Sequence, residues 1–357
     1  MQIDTLEKVK NYYGKVLSGS KDLQTSACCS IDVLPPHAKP LLKNIHEEIQ
    51  NKFYGCGSPL PLALEGQTVI DLGCGTGRDC YLLSQLVGES GRVIGIDMTD
   101  EQLNVARKHI DFQMDKFGYK TPNIQFVQGY VEDLKAAGIK DNSIDLVVSN
   151  CVTNLSPDKP RLFSEIFRVL KPGGELYFSD IFADRRLPLP FTEDPVLLGE
   201  CLGGAMYTED FRRLLIQLNV PDFRIMSKTQ LKLNSDEIEV KVGHIKFYSI
   251  TIRAFKLSDI EDRCEDYGQV AYYQGTIAGA PHEFRLDNHH LFKTHTPFLV
   301  CSNTASMLKK TRFGKHFKIV GDLSHHLGLF DCSEPGAVGG GESNTKGADG
   351  VDVGSCC

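Results

Sequence analysis

A glycine-rich segment is the first feature with a chemical role. The apolar run that begins at Val69 ends in Asp71-Leu-Gly-Cys-Gly-Thr-Gly77. Glycines after a strand let the backbone turn sharply and lie against a ligand, because a side chain would collide there. The spacing is G-x-G-x-G, not the G-x-G-x-x-G of dinucleotide-binding proteins. Asp97 ends the next apolar run, where a carboxylate can accept both hydroxyl hydrogens of a ribose. This pairing favours S-adenosylmethionine over NAD, and the alternative is a tight turn beside a solvated aspartate.

Alternating strands and helices predict the scaffold that holds this loop. A helix from Thr99 carries one apolar stripe from Leu103 to Phe117, and another helix covers about residues 157–170. Strands that alternate with helices predict a parallel sheet with helices on both faces. Residues 245–255 alternate well enough to form a strand that rejoins it. The five predicted strands before that one are Thr68–Leu72, Arg92–Asp97, Ile124–Gln128, Ile144–Ser149 and Glu175–Ser179.

The flanking regions have different patterns. Residues 4–17 predict a helix, and a second helix runs to about Tyr54 and stops at Gly55. Short helices are expected at 196–202 and 209–218, and residues 259–330 resemble a small α+β module. From Ser333 the chain is polar and glycine-rich, so we expect a disordered tail.

Composition excludes several classes of protein. The 357 residues include 39 basic and 46 acidic side chains, a formal net charge of −7. That balance argues against nucleic-acid binding, which needs a basic face. No apolar run approaches the ~18 residues of a membrane helix, and the N-terminus lacks an apolar secretory segment. We therefore expect a soluble, cytoplasmic protein, and a monomer.

The motifs resemble those of class I S-adenosylmethionine-dependent methyltransferases. Asp71–Gly77 is similar to their first motif, Gly95-Ile-Asp-Met98 to their ribose motif, and Leu170-Lys-Pro-Gly-Gly-Glu175 to the loop before the fifth strand. One departure is that Gly129 is followed by Tyr130 rather than an acid, so Glu132 is the candidate near the adenine. The resemblance implies a doubly wound, Rossmann-like sheet. The cofactor-binding residues that follow are Tyr54, Asp71, Gly73, Cys74, Gly75, Gly77, Asp97, Met98, Thr99, Val131, Glu132 and Asn150.

Cysteines stand where a general base is expected. Cys151 follows the fourth strand, at the sheet edge where the methyl group should lie, and no histidine is in this loop. A single cysteine there is usually just buried. However, Cys28, Cys56 and Cys201 also adjoin glycine or small residues, as in closely approached loops. Zinc is poorly supported because no C-x₂₋₄-C pair exists among the 12 cysteines.

Further segments make the resemblance specific. The chain resembles arsenite S-adenosylmethionine methyltransferases over about residues 5–255, and less distinctly to 330. The family match implies four functional thiols, Cys28, Cys56, Cys151 and Cys201. It also implies that Cys151 and Cys201 act in every methylation round and that Cys28 and Cys56 can pair as a disulfide. The segments that carry the match are Asp22-Leu-Gln-Thr-Ser-Ala-Cys28, Tyr54-Gly-Cys-Gly57, Gly77-Arg-Asp-Cys-Tyr81, Ile96-Asp-Met-Thr99, Ser149-Asn-Cys-Val152 and Gly199-Glu-Cys-Leu-Gly-Gly204.

The expected organisation follows from this match. Residues 1–182 form an S-adenosylmethionine-binding domain with a helical cap over 1–60. Residues 183–258 form an arsenic-binding region, 259–332 a small C-terminal domain, and 333–357 the tail.

The chemistry of arsenic is consistent with thiols as ligands. Trivalent arsenic is soft and prefers thiolates, and three thiols can replace the hydroxyls of arsenous acid with release of water. A tris-thiolate arsenic keeps a lone pair that can attack a sulfonium methyl group held ~3–3.5 Å away. The substrate is thus arsenite or its thiol conjugates, giving methyl- and dimethylarsenicals. A step that oxidises arsenic needs electrons from glutathione or thioredoxin, the latter a possible protein partner.

Two other functions stay open. One is methylation of carbon or oxygen in an organic molecule, with the cysteines merely buried. The other is arsenic sequestration without turnover. Among the remaining cysteines, Cys80 is expected in the core, Cys74 beneath the cofactor, and Cys264, Cys301 and Cys332 without visible partners. The Cys356-Cys357 tail is favoured as idle over a device for capturing arsenite. The histidines at 282, 289, 290 and 295 match no metal-site spacing and are expected on the surface.

Overall fold

A mixed β-sheet forms the centre of the molecule. A computed structural model describes residues 34–53, 57–233 and 235–331, and within them eight strands join this sheet. Their spatial order is β3-β2-β1-β4-β5-β8-β7, and β6 pairs with the end of β5. The bounds are β1 Thr68–Leu72, β2 Arg92–Asp97, β3 Ile124–Gln128, β4 Ile144–Asn150, β5 Leu170–Ala183, β6 Met206–Tyr207, β7 Phe223–Gln230 and β8 Phe247–Phe255.

The five predicted parallel strands are confirmed. Strands β1 to β5 pair in parallel, while β8 runs antiparallel between β5 and β7. The strand predicted at 245–255 does rejoin the sheet, as β8. Strand β7 was not predicted, because only its first three residues are buried and its last four are exposed at the sheet edge. An edge strand of this kind lacks the apolar alternation that marks a strand in sequence.

Helices cover both faces of the sheet, as predicted. In β1, Val69 packs with one cluster that includes Leu82 and Leu103, whereas Ile70 packs with another that includes Phe163. Alternate residues of a strand point to opposite faces, so both faces of β1 are buried. The helices in this part are α1 Glu47–Asn51, α2 Arg78–Val87, α3 Asp100–Lys108, α4 Ile110–Phe117, α5 Lys159–Val169, α6 Pro195–Gly199, α7 Thr208–Gln217 and α8 Asp236–Val242.

Two helix predictions are wrong. The single helix expected after Thr99 is divided into α3 and α4 at His109, whose backbone leaves the helical range at φ −103° and ψ 6°. The His109 ring bonds to Glu48 at 2.8 Å and stacks on His46 with 3.8 Å between ring centres. The helix expected before Tyr54 is also divided, into a 3₁₀ turn over Lys39–Asn44 and the short helix α1. The helix predicted at 4–17 and the tail predicted at 333–357 lie outside the described residues.

A smaller module follows β8, as predicted for this region. Strands β13, β10 and β14 form an antiparallel sheet against helix α9, and the module has its own aromatic core with Tyr273, Phe284 and Phe317. Its elements are β9 Glu265–Asp266, β10 Gln269–Tyr273, β11 Glu283–Arg285, β12 Leu291–Lys293, β13 Pro297–Val300, α9 Ser302–Lys310, β14 Phe317–Val320 and β15 Gly328–Leu329.

Buried charges join this module to the main sheet. Glu175 of β5 is fully buried and accepts hydrogen bonds from Arg253 of β8 and from Arg312 of the module. Arg253 also donates to the Leu286 carbonyl at 2.6 Å. A buried carboxylate bound to two guanidinium groups is stable only while all partners are present. The module is therefore fixed to the sheet at strands β5 and β8. His290 of the module is buried, so the surface position expected for it was wrong, whereas His282, His289 and His295 are exposed. Within the described ranges, no helix has the length and apolar character needed to cross a membrane.

Candidate functional site

A deep cleft opens at the carboxyl ends of the parallel strands. Its empty volume, including the mouth, is about 1060 Å³. The loops after β1, β2, β3 and β4 supply most of its walls, because the carboxyl ends of parallel strands meet at one edge. Eleven of the residues predicted for the site line this cleft: Asp71, Gly73, Cys74, Gly75, Asp97, Met98, Thr99, Val131, Glu132, Asn150 and Cys151.

The glycine loop forms the floor between β1 and α2. Gly73 has φ +69°, and a Cβ atom there would lie 2.3 Å from Val152, so no other residue fits without a shift. Gly77 is not part of the cleft lining. It precedes α2 with φ +85°, and a Cβ atom would lie 2.8 Å from the Phe126 ring, so its role is close packing of helix on sheet.

Asp97 stands at the end of β2, facing the glycine loop. One carboxylate oxygen accepts the Gly75 N–H at 2.8 Å and the other accepts the Thr99 N–H at 2.8 Å. Burial raises the pKa of Asp97, and these backbone donors oppose that rise. These bonds fix the plane of the carboxylate, which lines the cleft.

Two more acids, Asp71 and Asp79, line the cleft. Burial raises the pKa of Asp71 well above its usual range, and the neighbouring charge of Asp79 adds to the rise. The Cys80 thiol donates to Asp71 at 3.2 Å. The Arg78 guanidinium forms an ion pair with the Asp79 carboxylate at 2.8 Å. The same guanidinium lies 3.0 Å from the centre of the Phe53 ring. The sequence motif contained the Arg78–Asp79 pair, but we assigned no role to it.

Asn150 connects the cleft to the segment before β1. Its amide oxygen accepts the Gly57 N–H at 3.1 Å, and its amide nitrogen donates to the Gly57 carbonyl at 2.9 Å and to Asp79 at 3.1 Å. A Cβ atom on Gly57 would lie 2.6 Å from Ser179, so glycine permits this close approach. The predicted residues Tyr54 and Cys56, which precede Gly57, lie outside the described residues, as does Cys28.

The wall opposite Asp97 is formed by residues after β3 and β4. Glu132 is buried and accepts a hydrogen bond from the Ser156 hydroxyl. Val131 and Leu155 provide apolar surface beside it, while Tyr130 is 43% exposed. The side that faces Asp97 is thus apolar with one buried acid, which suits a flat heterocycle.

Cys151 and Cys201 meet at the end of the cleft. The Cys201 thiol donates to the Cys151 carbonyl at 3.5 Å, and the Cys151 N–H donates to the Ser179 carbonyl at 2.9 Å. Cys151 lines the cleft, whereas Cys201 is buried just behind it. The sulfur of Cys151 is in a disulfide.

Both cysteines have a strained backbone. Cys151 has φ +57° and Cys201 has φ +60°, and among the described residues six non-glycine residues have positive φ. Such conformations cost free energy and persist where the surrounding structure imposes them, which is frequent at functional sites. Contacts with the rest of the structure must therefore hold the two cysteine loops in these conformations.

Asn154 ties the two cysteine loops together. Its amide nitrogen donates to the Cys201 carbonyl at 3.2 Å and to the Ile181 carbonyl at 2.7 Å. Its backbone N–H donates to Asp180 at 3.1 Å, and the Thr153 hydroxyl donates to the same carboxylate. Burial raises the pKa of Asp180 to about 6. Neither Asn154 nor Asp180 was predicted for the site, because their contacts join segments far apart in the chain.

The other cysteines near the glycine loop are inert. Cys80 is fully buried, as predicted, and Cys74 is 8% exposed. Burial raises the pKa of Cys74 to about 11 and that of Cys80 well above its usual range, so both stay protonated at neutral pH.

Comparisons with known proteins agree with this architecture. A methyltransferase-domain family model matches residues 64–219, and an arsenite methyltransferase C-terminal-domain model matches residues 266–332. An arsenite methyltransferase from Aquipseudomonas alcaligenes is 49% identical over 351 residues, which is 98% of this chain and 99% of that protein. Arsenite methyltransferases from mouse and human are 41% and 43% identical, covering 95% and 87% of this chain and 87% and 82% of their own lengths.

A solved structure is also similar. The crystal structure of an arsenic(III) S-adenosylmethionine methyltransferase from Chlamydomonas reinhardtii superposes with a TM-score of 0.81 at 50% identity, covering 84% of this chain and 100% of that one. Sequence identity over nearly the whole length, together with the agreement in fold, is decisive: this chain belongs to the arsenite methyltransferase family.

Proposed function

We propose that this protein transfers methyl groups from S-adenosylmethionine to trivalent arsenic held by Cys151, Cys201 and further protein thiols. The observation that carries the proposal is the contact between Cys201 and Cys151 at the end of a cleft that also contains Asp97 and the glycine loop. The arsenic substrate named for the relatives supports the same reaction.

The cleft fits S-adenosylmethionine in shape and in charge. The Asp97 carboxylate lines the cleft as an acceptor for the ribose hydroxyls, and Val131, Leu155 and buried Glu132 offer a face for adenine. The backbone at Gly73 leaves space that a side chain would fill. When bound, the cofactor supplies an electrophilic sulfonium methyl group toward which the arsenic lone pair is directed. The acidic residues of this cleft favour such a cation.

The thiols bind arsenic by exchange. Each thiol replaces one hydroxyl of arsenous acid and releases water, so the step needs no net deprotonation. No histidine is among the described residues that line the cleft, which is consistent with a reaction without a general base. Cys56 is the residue before Gly57, and Gly57 is bonded to Asn150 next to Cys151, which supports Cys56 as a further ligand. We propose that Cys28, like Cys56, is required chiefly for the first methylation round.

The state of Cys151 supports the proposal of a thiol reductant. A sulfur in a disulfide cannot bind arsenic, so two external thiols must first reduce that bond and leave as a disulfide. Glutathione or thioredoxin could supply them, and the latter is the one protein partner we propose. Residues 183–258 contain Cys201 and constitute the proposed arsenic-binding region, between the cofactor-binding domain of 1–182 and the C-terminal domain of 259–332.

Replacement of Cys201 tests the proposal. We expect Cys201→Ser to lose arsenite methylation, measured both as S-adenosylhomocysteine formed and as arsenic species separated over time. Binding of S-adenosylmethionine, measured by calorimetry, should persist because Cys201 lies behind the cleft wall. The control is Cys264→Ser, a buried cysteine of the C-terminal module, which should keep full activity.

The competing functions predict other results. An enzyme acting on an organic molecule would retain its activity in Cys201→Ser, and full arsenite methylation by that variant would overturn our assignment. A protein that only sequesters arsenic would form no S-adenosylhomocysteine when arsenite is added to the wild type.

A further inference from the structure

One short turn contacts both the cofactor wall and a cysteine loop. It is the 3₁₀ turn Thr153–Leu155, which Ser156 follows directly. The Ser156 hydroxyl donates to Glu132, the buried acid of the wall that faces Asp97. The Asn154 amide donates to the Cys201 carbonyl at 3.2 Å. The position of this turn therefore sets the cofactor wall and the Cys201 loop relative to each other.

Lys159 holds the end of this turn. Its Nζ atom donates to the Ser156 carbonyl at 3.1 Å and to the Asn154 carbonyl at 3.4 Å. We propose that Lys159 is a positioning residue for methyl transfer, which fixes the turn and through Asn154 places the Cys201 loop. This inference rests on the proposed function, and it adds a residue that lies outside the cleft lining and contacts neither cysteine side chain.

The location of Lys159 is unfavourable for a lysine in two respects. It is the first residue of helix α5, where the helix dipole favours an acid over a base. The side chain is also partly buried, and burial lowers the pKa of Lys159 while the charges of Asp180 and Glu132 oppose that decrease. These two acids and the two carbonyl acceptors offset the cost. An apolar side chain at this position would leave both carbonyls without their donor.

The central sheet holds the same turn independently of Lys159. Asp180 of β5 accepts the Asn154 N–H at 3.1 Å and the Thr153 hydroxyl. The turn keeps these bonds when the lysine is replaced, so the disturbance is confined to its end at Ser156. We therefore expect a small displacement rather than unfolding. A displacement of this size matters because methyl transfer requires closely defined positions of the reacting groups.

Lys159→Met tests the inference, because methionine is an unbranched side chain without a donor. We expect the single-turnover rate of arsenite methylation to fall about 10-fold or more, since a 1 Å displacement can cost about 10²-fold. The affinity for S-adenosylmethionine, measured by calorimetry, should stay unchanged because Asp97 and the glycine loop remain in place. Lys159→Arg retains donors for the two carbonyls and should recover most of the rate. A role in stability alone would not slow the folded Lys159→Met protein.

Lys171→Met is the matched control. Lys171 pairs with Asp145 at 2.7 Å near the start of β4, at the end of the sheet away from the cleft, so this variant should keep the wild-type rate. A wild-type rate in Lys159→Met, or a Lys159→Arg protein as slow as Lys159→Met, would overturn the inference. If Lys159→Met does not fold, Lys159→Gln replaces it under the same criteria. A wild type that methylates no arsenite would overturn the proposed function, and this inference with it.

A double-mutant cycle with Asn154→Ala identifies the route. Asn154→Ala removes the amide that reaches the Cys201 carbonyl, so the position of the turn no longer sets that of the Cys201 loop. Lys159→Met should therefore slow methylation much less in the Asn154→Ala background than in the wild type. Equal rate losses in the two backgrounds would show that Lys159 does not act through Asn154, and the inference would be wrong.

Discussion

The sharpest test of how the thiols are positioned is Gly204→Ala. Gly204 lies three residues after Cys201, and its Cα packs directly against the backbone of Asn154. An alanine Cβ would lie 1.9 Å from the Asn154 carbonyl oxygen and 2.8 Å from the carbonyl carbon. The position has no left-handed φ that would itself exclude alanine, so the perturbation is one of space alone.

The expected losses of activity and of stability follow from this contact. The distance must lengthen from 1.9 Å to at least 3.0 Å, and both partners are backbone atoms that cannot rotate away. Asn154 is the residue that donates to the Cys201 carbonyl, so the shift separates the Cys201 loop from the Cys151 loop. A 1 Å displacement of a reacting group can cost about 10²-fold in rate. Overpacking of this kind also lowers the free energy of unfolding by about 1–3 kcal/mol.

The assay separates chemistry from binding and folding. We expect the single-turnover rate of arsenite methylation to fall about 10²-fold, while the affinity for S-adenosylmethionine measured by calorimetry stays unchanged. Gly118→Ala is the matched control: its Cβ meets nothing within 4 Å, and its φ of +76° costs only stability at the end of α4. A folded Gly204→Ala protein with the wild-type rate would refute the reasoning, and so would equal losses of rate and cofactor affinity.

Two further predictions concern buried charge. Glu175→Gln leaves the guanidinium groups of Arg253 and Arg312 without their carboxylate, so the free energy of unfolding measured in urea should fall by about 3–5 kcal/mol. The control Lys310→Gln removes a surface ion pair and should lower it by about 1 kcal/mol or less. Equal losses in the two variants would contradict this prediction. Burial raises the pKa of Asp180 from 3.8 to about 6, so the folded state favours the protonated carboxyl group. The stabilisation that this proton gives is fully present below pH 3.8 and is lost as the pH rises from there to about 6. The free energy of unfolding of Asp180→Asn, relative to wild type, should therefore rise by about 3 kcal/mol between about pH 4 and pH 7, whereas a constant difference would refute this.

Local patterns were sufficient for the scaffold. Strands β1, β2 and β3 have the predicted bounds, because each is a short run closed by a turn signal. Strands β1 and β2 are buried on both faces, whereas the edge strand β3 alternates between buried and exposed residues. The glycine loop and Asp97 were found in the same way, since sharp turns and close approach demand glycine. Assignment of four cysteines to arsenic depended on resemblance to a family, and it stays a prediction for all four; the structure describes only Cys151 and Cys201 among them.

Contacts between distant segments could not be predicted from local sequence patterns. The break at His109 depends on Glu48, about sixty residues earlier, and the apolar stripe continues across it without interruption. Asn154 is a polar residue in a loop whose importance appears only when Ile181 and Cys201 lie beside it.

The amino-acid order thus specified which residues could carry the chemistry and which strand ends would present them. Bringing the Cys201 loop against Cys151 required folding of the whole chain. Hydrophobic periodicity describes one element at a time, whereas this contact depends on how several elements pack together in three dimensions.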